Sequence, residues 1–171
     1  QEGLIHDRRL LARTEVWLIG PADDPAGIRA EKDPARAIAQ VLAARAAKVV
    51  SWQVGLPGDA PEPDGPLAHL AAQLVAQPAS AVGLPALDGA PTYRLVTQAA
   101  WLAQGPARAK APAGTRIWFQ GHPALALHAE VARSFRGKHP GGRLLVNWLD
   151  RPLARNALRG AAGWHNAKAK G

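Results

Sequence analysis

Glu15-Val16-Trp17-Leu18-Ile19-Gly20-Pro21 opens the part of the chain that decides the fold. Val16, Trp17, Leu18 and Ile19 are contiguous, apolar and β-prone, and Gly20-Pro21 ends the strand they predict. A polar loop, Ala22-Asp23-Asp24-Pro25-Ala26-Gly27, leads on to Asp33-Pro34. That pair reads as a helix start, because Asp33 can accept from free amide groups as N-cap and Pro34 suits the first helical position. Ile38, Val41, Leu42 and Arg45 then share one helical face. Residues 49–54 predict the next strand. The order strand, helix, strand predicts a parallel crossover unit.

Outward from this unit the pattern changes. Residues 57–66 hold Pro57, Pro61, Pro63 and Pro66, which reads as an exposed, stiff excursion. Leu67, Leu70 and Leu74, with Ala71, stripe a short helix. From residue 93 the period shifts to two, and 93–101, 115–120, 125–135 and 143–149 read as four strands separated by Gly and Pro clusters. Such short connections favour an antiparallel meander. Residues 1–13, Arg-rich and polar, read as a helical lead-in or a mobile arm. The expected architecture is α+β: an N-terminal strand–helix–strand unit and a Leu-striped helix packed on an antiparallel sheet of about four strands. One domain covers 1–150, and 151–171 form a basic C-terminal tail.

Composition narrows the function. The 171 residues carry no Cys, which excludes disulfides, thiol nucleophiles and cysteine zinc sites. No apolar run approaches the ~18 residues of a membrane helix. The net charge of +8 is uneven, since residues 65–171 hold 13 basic and 3 acidic residues. A field so one-sided favours a polyanionic partner: an anionic glycan, a nucleic acid or a lipid surface. The chain opens at Gln1 and contains no Met, so its start is expected to be a processing site or a truncation point. Removal of a secretory leader or of an organelle transit peptide would fit equally.

Catalytic chemistry is thinly represented. Ser51, Ser80 and Ser134 lie in no nucleophile motif. No Walker A or dinucleotide loop occurs, and no cofactor is expected. Asp23-Asp24, at the carboxyl end of a strand, is the best carboxylate pair for a divalent cation, and a metal-assisted hydrolase would draw on it. His128 and Glu130 alternate on one strand and form the next candidate pair. The six tryptophans carry more information. Trp101, Trp118 and Trp148 fall on three separate predicted strands, interleaved with arginines. Arg94, Arg116, Trp118, Arg133 and Arg143 are accordingly the candidate ligand contacts, with guanidinium groups orienting an anion and an indole stacking on a ring.

One stretch resembles a known family. Tyr93-Arg94-Leu95-Val96 followed by Trp101, then Thr115-Arg116-Ile117-Trp118, is similar to the CsiV-type periplasmic family, as are Glu15–Ile19 as an opening strand and 138–146 as a closing segment. The resemblance implies peptidoglycan binding in the cell envelope and support of a cell-wall synthase, without catalysis. The expectation is therefore an exported, non-enzymatic accessory protein that binds an anionic glycan or an envelope protein. A basic component of a nucleoprotein or other large assembly is the alternative.

Overall fold

A computed structural model describes residues 5–105, 110–134 and 140–166. The elements run β1 (Ile5–Pro21), α1 (Pro34–Ala46), β2 (Ser51–Val54), α2 (Pro66–Val75), α3 (Ala79–Val82), β3 (Thr92–Thr97), α4 (Gln98–Ala103), β4 (Thr115–Phe119), β5 (Ala126–Ser134), α5 (Pro140–Leu149), α6 (Pro152–Gly160) and β6 (Trp164–Asn166). The class is α+β, with a mixed sheet. The chain divides into two compact units, Glu15–Leu127 and the pair of segments Gln1–Thr14 with His128–Gly171.

In the Glu15–Leu127 unit the strand order is β2-β3-β1-β4. β1 pairs antiparallel with β3 and β4, whereas β2 pairs parallel with β3. The parallel crossover is therefore β2–α2–α3–β3. The expected parallel β1–α1–β2 crossover is not formed: β1 runs antiparallel to β3 and β2 runs parallel to it, so β1 and β2 point in opposite directions. The core gathers Val16 and Leu18 of β1, Ile38 and Val41 of α1, Trp52 of β2 and Leu95 of β3. Trp52 is fully buried, and its indole N–H donates to the Val82 carbonyl at 2.9 Å.

Local chemistry explains the helices. Asp33 accepts from the Ala35 amide and Pro34 stands at the first position of α1, as the sequence predicts. α2 also starts on a proline, after Gly65, and stops where Ala76 turns left-handed at φ 52°. It buries Ala68, Ala71 and Ala72, while Leu67, Leu70 and Leu74 are half-buried against the core. Small alanines at the contact let the helix axis approach closely.

The 57–66 excursion is largely exposed, yet Pro63 folds back on Gly83. A Cβ on Gly83 would lie 2.4 Å from the Pro63 Cα. Gly83→Val should therefore push backbone against backbone and cost about 1–3 kcal/mol, measured as a lowered urea midpoint. Gly20 is crowded differently: a Cβ there would fall 2.2 Å from the buried Tyr93 ring.

Two expected strands and the expected N-terminal arm need correction. The 93–101 segment ends as a strand at Thr97, whose hydroxyl accepts from the Ala100 amide at 3.1 Å and caps α4. Trp101 consequently sits on a helix, almost fully buried. The 143–149 segment belongs to helix α5, with Pro140 as its first residue. Residues 5–13 are no helical arm but the first half of the long strand β1. There Ala12 and Thr14 alternate inward, and β6 pairs with them through Ala12↔Asn166 and Thr14↔Trp164.

In the unit built from Gln1–Thr14 and His128–Gly171, Arg8 pairs with Glu130 at 2.7 Å. Arg9 and Arg155 converge on Asp150. The hydrogen bond from Arg155, with help from Arg9, holds the Asp150 carboxyl below its ordinary range. A carboxylate depressed in the fold stabilises it above the unfolded value of about 3.9, and that contribution disappears as pH falls through the depressed value. Thermal unfolding followed downward from about pH 5 should thus fall less steeply in Asp150→Asn than in the wild type.

Candidate ligand-binding cleft

The parallel register Ser51↔Thr92 to Val54↔Leu95 brings the carboxyl ends of β2 and β3 to one edge of the sheet. In open α/β sheets this edge is where ligands bind, because helices start there and side chains diverge. The chain leaves β2 through Gly55, at φ +100°, whose amide donates to the Leu95 carbonyl at 2.9 Å. It leaves β3 through the Thr97 cap. Between these exits and the first residues of α2 lies a cleft of about 190 Å³.

Its walls are chiefly aliphatic, with Val54, Leu56, Leu67, Val96 and Leu127 facing the space. Thr97 contributes the hydroxyl that caps α4. The charged lining residues are two carboxylates, Asp59 and Glu62. Asp59 Oδ2 accepts from the Leu56 amide at 2.6 Å, which folds the excursion against the strand end. A second cavity of about 130 Å³ shares Val54, Asp59 and Glu62, so this short stretch walls both spaces. A larger hollow of about 300 Å³ between α1 and the segment after α2 lacks this strand-end placement, and its Arg45 guanidinium is bound to the Pro85 carbonyl.

Of the five residues singled out by composition, Arg94, Arg116 and Trp118 lie in the Glu15–Leu127 unit. Arg116 and Trp118 do meet on β4, with the guanidinium 4.8 Å from the ring centroid. Arg94 pairs across the sheet with Ile19, whereas Arg116 pairs with the next residue, Gly20. Consecutive strand residues face opposite sides, so the two arginines lie on opposite faces. Arg94 is half-buried and donates to the Gln53 side chain. Burial lowers its pKa, and nearby Asp59 partly offsets that. Arg133 on β5 and Arg143 on α5 belong to the other unit. Of the three tryptophans expected on strands, only Trp118 is on one. Trp148 lies exposed on α5.

Of the carboxylate pair in the first loop, Asp24 is occupied by its own backbone and by Tyr93. Asp24 accepts from the Ile28 and Arg29 amides at 2.9 and 2.8 Å and from the Tyr93 hydroxyl at 2.9 Å. Burial, reinforced by Asp24, pushes the Tyr93 phenol above its ordinary range, so it stays a donor. Glu130, the partner expected for His128, is engaged by Arg8. Among the described residues no three His, Asp or Glu side chains converge as a metal site would require.

Sequence reading passed over the cleft for two reasons. Residues 57–66 read as an exposed, stiff excursion, and Thr97 falls inside a predicted strand. The available signal was Thr97 followed by Gln98-Ala99-Ala100, a capping residue before helix formers.

The fold is shared with solved structures of low sequence identity. A periplasmic protein described as a candidate metal binder superposes with a TM-score of 0.66 at 15% identity, covering 99% of this chain and 94% of that one. The tungstate-binding protein TupA from Desulfovibrio alaskensis G20 matches at 0.58 and 16%, over 97% of this chain and 72% of its own. A LysR substrate-binding domain from Wolinella succinogenes matches at 0.54 and 13%, over 92% and 70%. Identities this low establish the fold alone. No protein-family model and no curated protein matches the sequence.

Proposed function

We propose that this chain is an exported binding protein, without catalytic chemistry of its own, that holds a small ligand in the cleft at the carboxyl ends of β2 and β3. The observation that carries the reading is the cleft's chemistry: aliphatic walls with Asp59 and Glu62 as the charged lining residues. That lining suits a compact apolar body bearing a positive, hydrogen-bond-donating end. It opposes a dianion such as tungstate, because two carboxylates would face it with no lining cation. Export is supported by two structural relatives that are described as periplasmic proteins.

Benzylamine is a suitable probe. At about 0.5–0.7 kcal/mol per non-hydrogen atom, its eight atoms would give a Kd of roughly 0.1–1 mM. Scanning fluorimetry should show a rise in Tm with benzylamine and none with sodium tungstate. Asp59→Asn retains an acceptor for the Leu56 amide, so combined with Glu62→Gln it should weaken the benzylamine response while preserving the fold. A tungstate response without a benzylamine response would refute this assignment.

The peptidoglycan role implied by the CsiV-type resemblance has less behind it. The comparisons bring no such protein, and the segments that carry the resemblance are partly helical. The Arg116–Trp118 pair is its remaining support, and there the guanidinium already covers the indole.

A further inference from the structure

The net charge of the chain lies in one unit. Gln1–Thr14 with His128–Gly171 holds 12 Lys and Arg against 4 Asp and Glu, a net of +8, whereas Glu15–Leu127 holds 9 of each. Two of those four acids, Glu130 and Asp150, are already engaged by Arg8, Arg9 and Arg155. The same unit displays most of the exposed large apolar side chains: Leu144 is 70% exposed, Leu145 54%, Trp148 49% and Leu153 73%.

Helix α5 is turned the unusual way round. At about 100° per residue, Leu144, Leu145 and Trp148 fall within one stripe, and the buried Val146 lies away from it. An ordinary amphipathic helix buries such a stripe, but this one points it outward. Leu153 stands exposed on α6, which contacts α5. Arg143 and Arg151 flank the apolar residues. Both are exposed, and neither makes an ion pair among the described residues.

We propose that Leu144, Leu145, Trp148 and Leu153, with Arg143 and Arg151 beside them, seat this unit on an anionic lipid surface. Lipid satisfies both halves of the pattern. Acyl chains receive the leucines, the indole suits the interface, and phosphate headgroups meet the guanidinium groups. A nucleic acid gives the leucines nothing to bury against. A second copy would bring +8 against +8. An acidic protein would need a complementary groove for side chains that project this far. The proposal stands apart from the cleft, which belongs to the other unit.

The test is co-flotation of the full chain with POPC vesicles, with and without POPG, at low and high salt. The wild type should partition at least about tenfold better onto POPG vesicles, and high salt should reverse the gain. Leu144→Ser with Leu145→Ser should lower that partitioning by roughly tenfold or more. Both positions are exposed, so an unchanged Tm serves as the folding control. Arg143→Glu with Arg151→Glu should abolish the preference for POPG. Equal binding to both vesicle types, or an unaffected serine variant, would overturn the proposal. So would a serine-sensitive dimer in sedimentation, or serine-sensitive retention on polyglutamate, without vesicle binding.

Discussion

Trp52→Ala is expected to bring the Glu15–Leu127 unit close to unfolding. Trp52 is the largest fully buried side chain of the core and the residue that ties β2 to the end of α3. Truncating a buried indole costs about 3–5 kcal/mol, against a total stability of roughly 5–15 kcal/mol for an ordinary domain. The Val82 carbonyl would also lose its donor. Trp52→Phe separates the two contributions, since it retains most of the packing and gives up the hydrogen bond, for about 1–3 kcal/mol. Urea unfolding monitored by far-ultraviolet circular dichroism measures both. A loss below about 1 kcal/mol for the alanine variant would mean that the core is not organised around this indole.

Filling the cleft should have the largest effect on binding. Ala100 lines it from the first turn of α4, and the amide of this residue is bonded to the Thr97 hydroxyl whatever its side chain. Ala100→Trp places an indole in a space of about 190 Å³. The benzylamine response should vanish, while stability changes by less than about 1 kcal/mol, because the added ring enters a void and does not displace packed atoms. Retained binding in a folded Ala100→Trp protein would place the ligand elsewhere.

Much of the α+β frame was legible in local chemistry. Asp33-Pro34 declares its helix through a cap and a pre-set φ, and the run Val16 to Ile19 declares its strand through β-prone bulk. What escaped was tertiary. Nothing in residues 51–54 says that β3, 37 residues beyond β2, would be their parallel neighbour. A period of two in 93–101 concealed a change from strand to helix at one threonine. Leu144-Leu145-Val146 shows no alternation, and only the outward placement of its stripe reveals what the helix offers. The arginines illustrate the same limit. Spacing along the chain gave Arg94 and Arg116 comparable standing, but pairing to the adjacent residues Ile19 and Gly20 sends them to opposite faces. The cleft's aliphatic walls, and Asp59 and Glu62 among them, carry no joint signature until the fold assembles them.

A titration of the isotope-labelled protein with benzylamine, read from amide chemical shifts, tests the cleft most directly. The shifts should gather on Gly55, Leu56, Gly65, Thr97 and Ala100. Shifts gathered instead around Arg116 and Trp118, or none at millimolar benzylamine, would contradict the account.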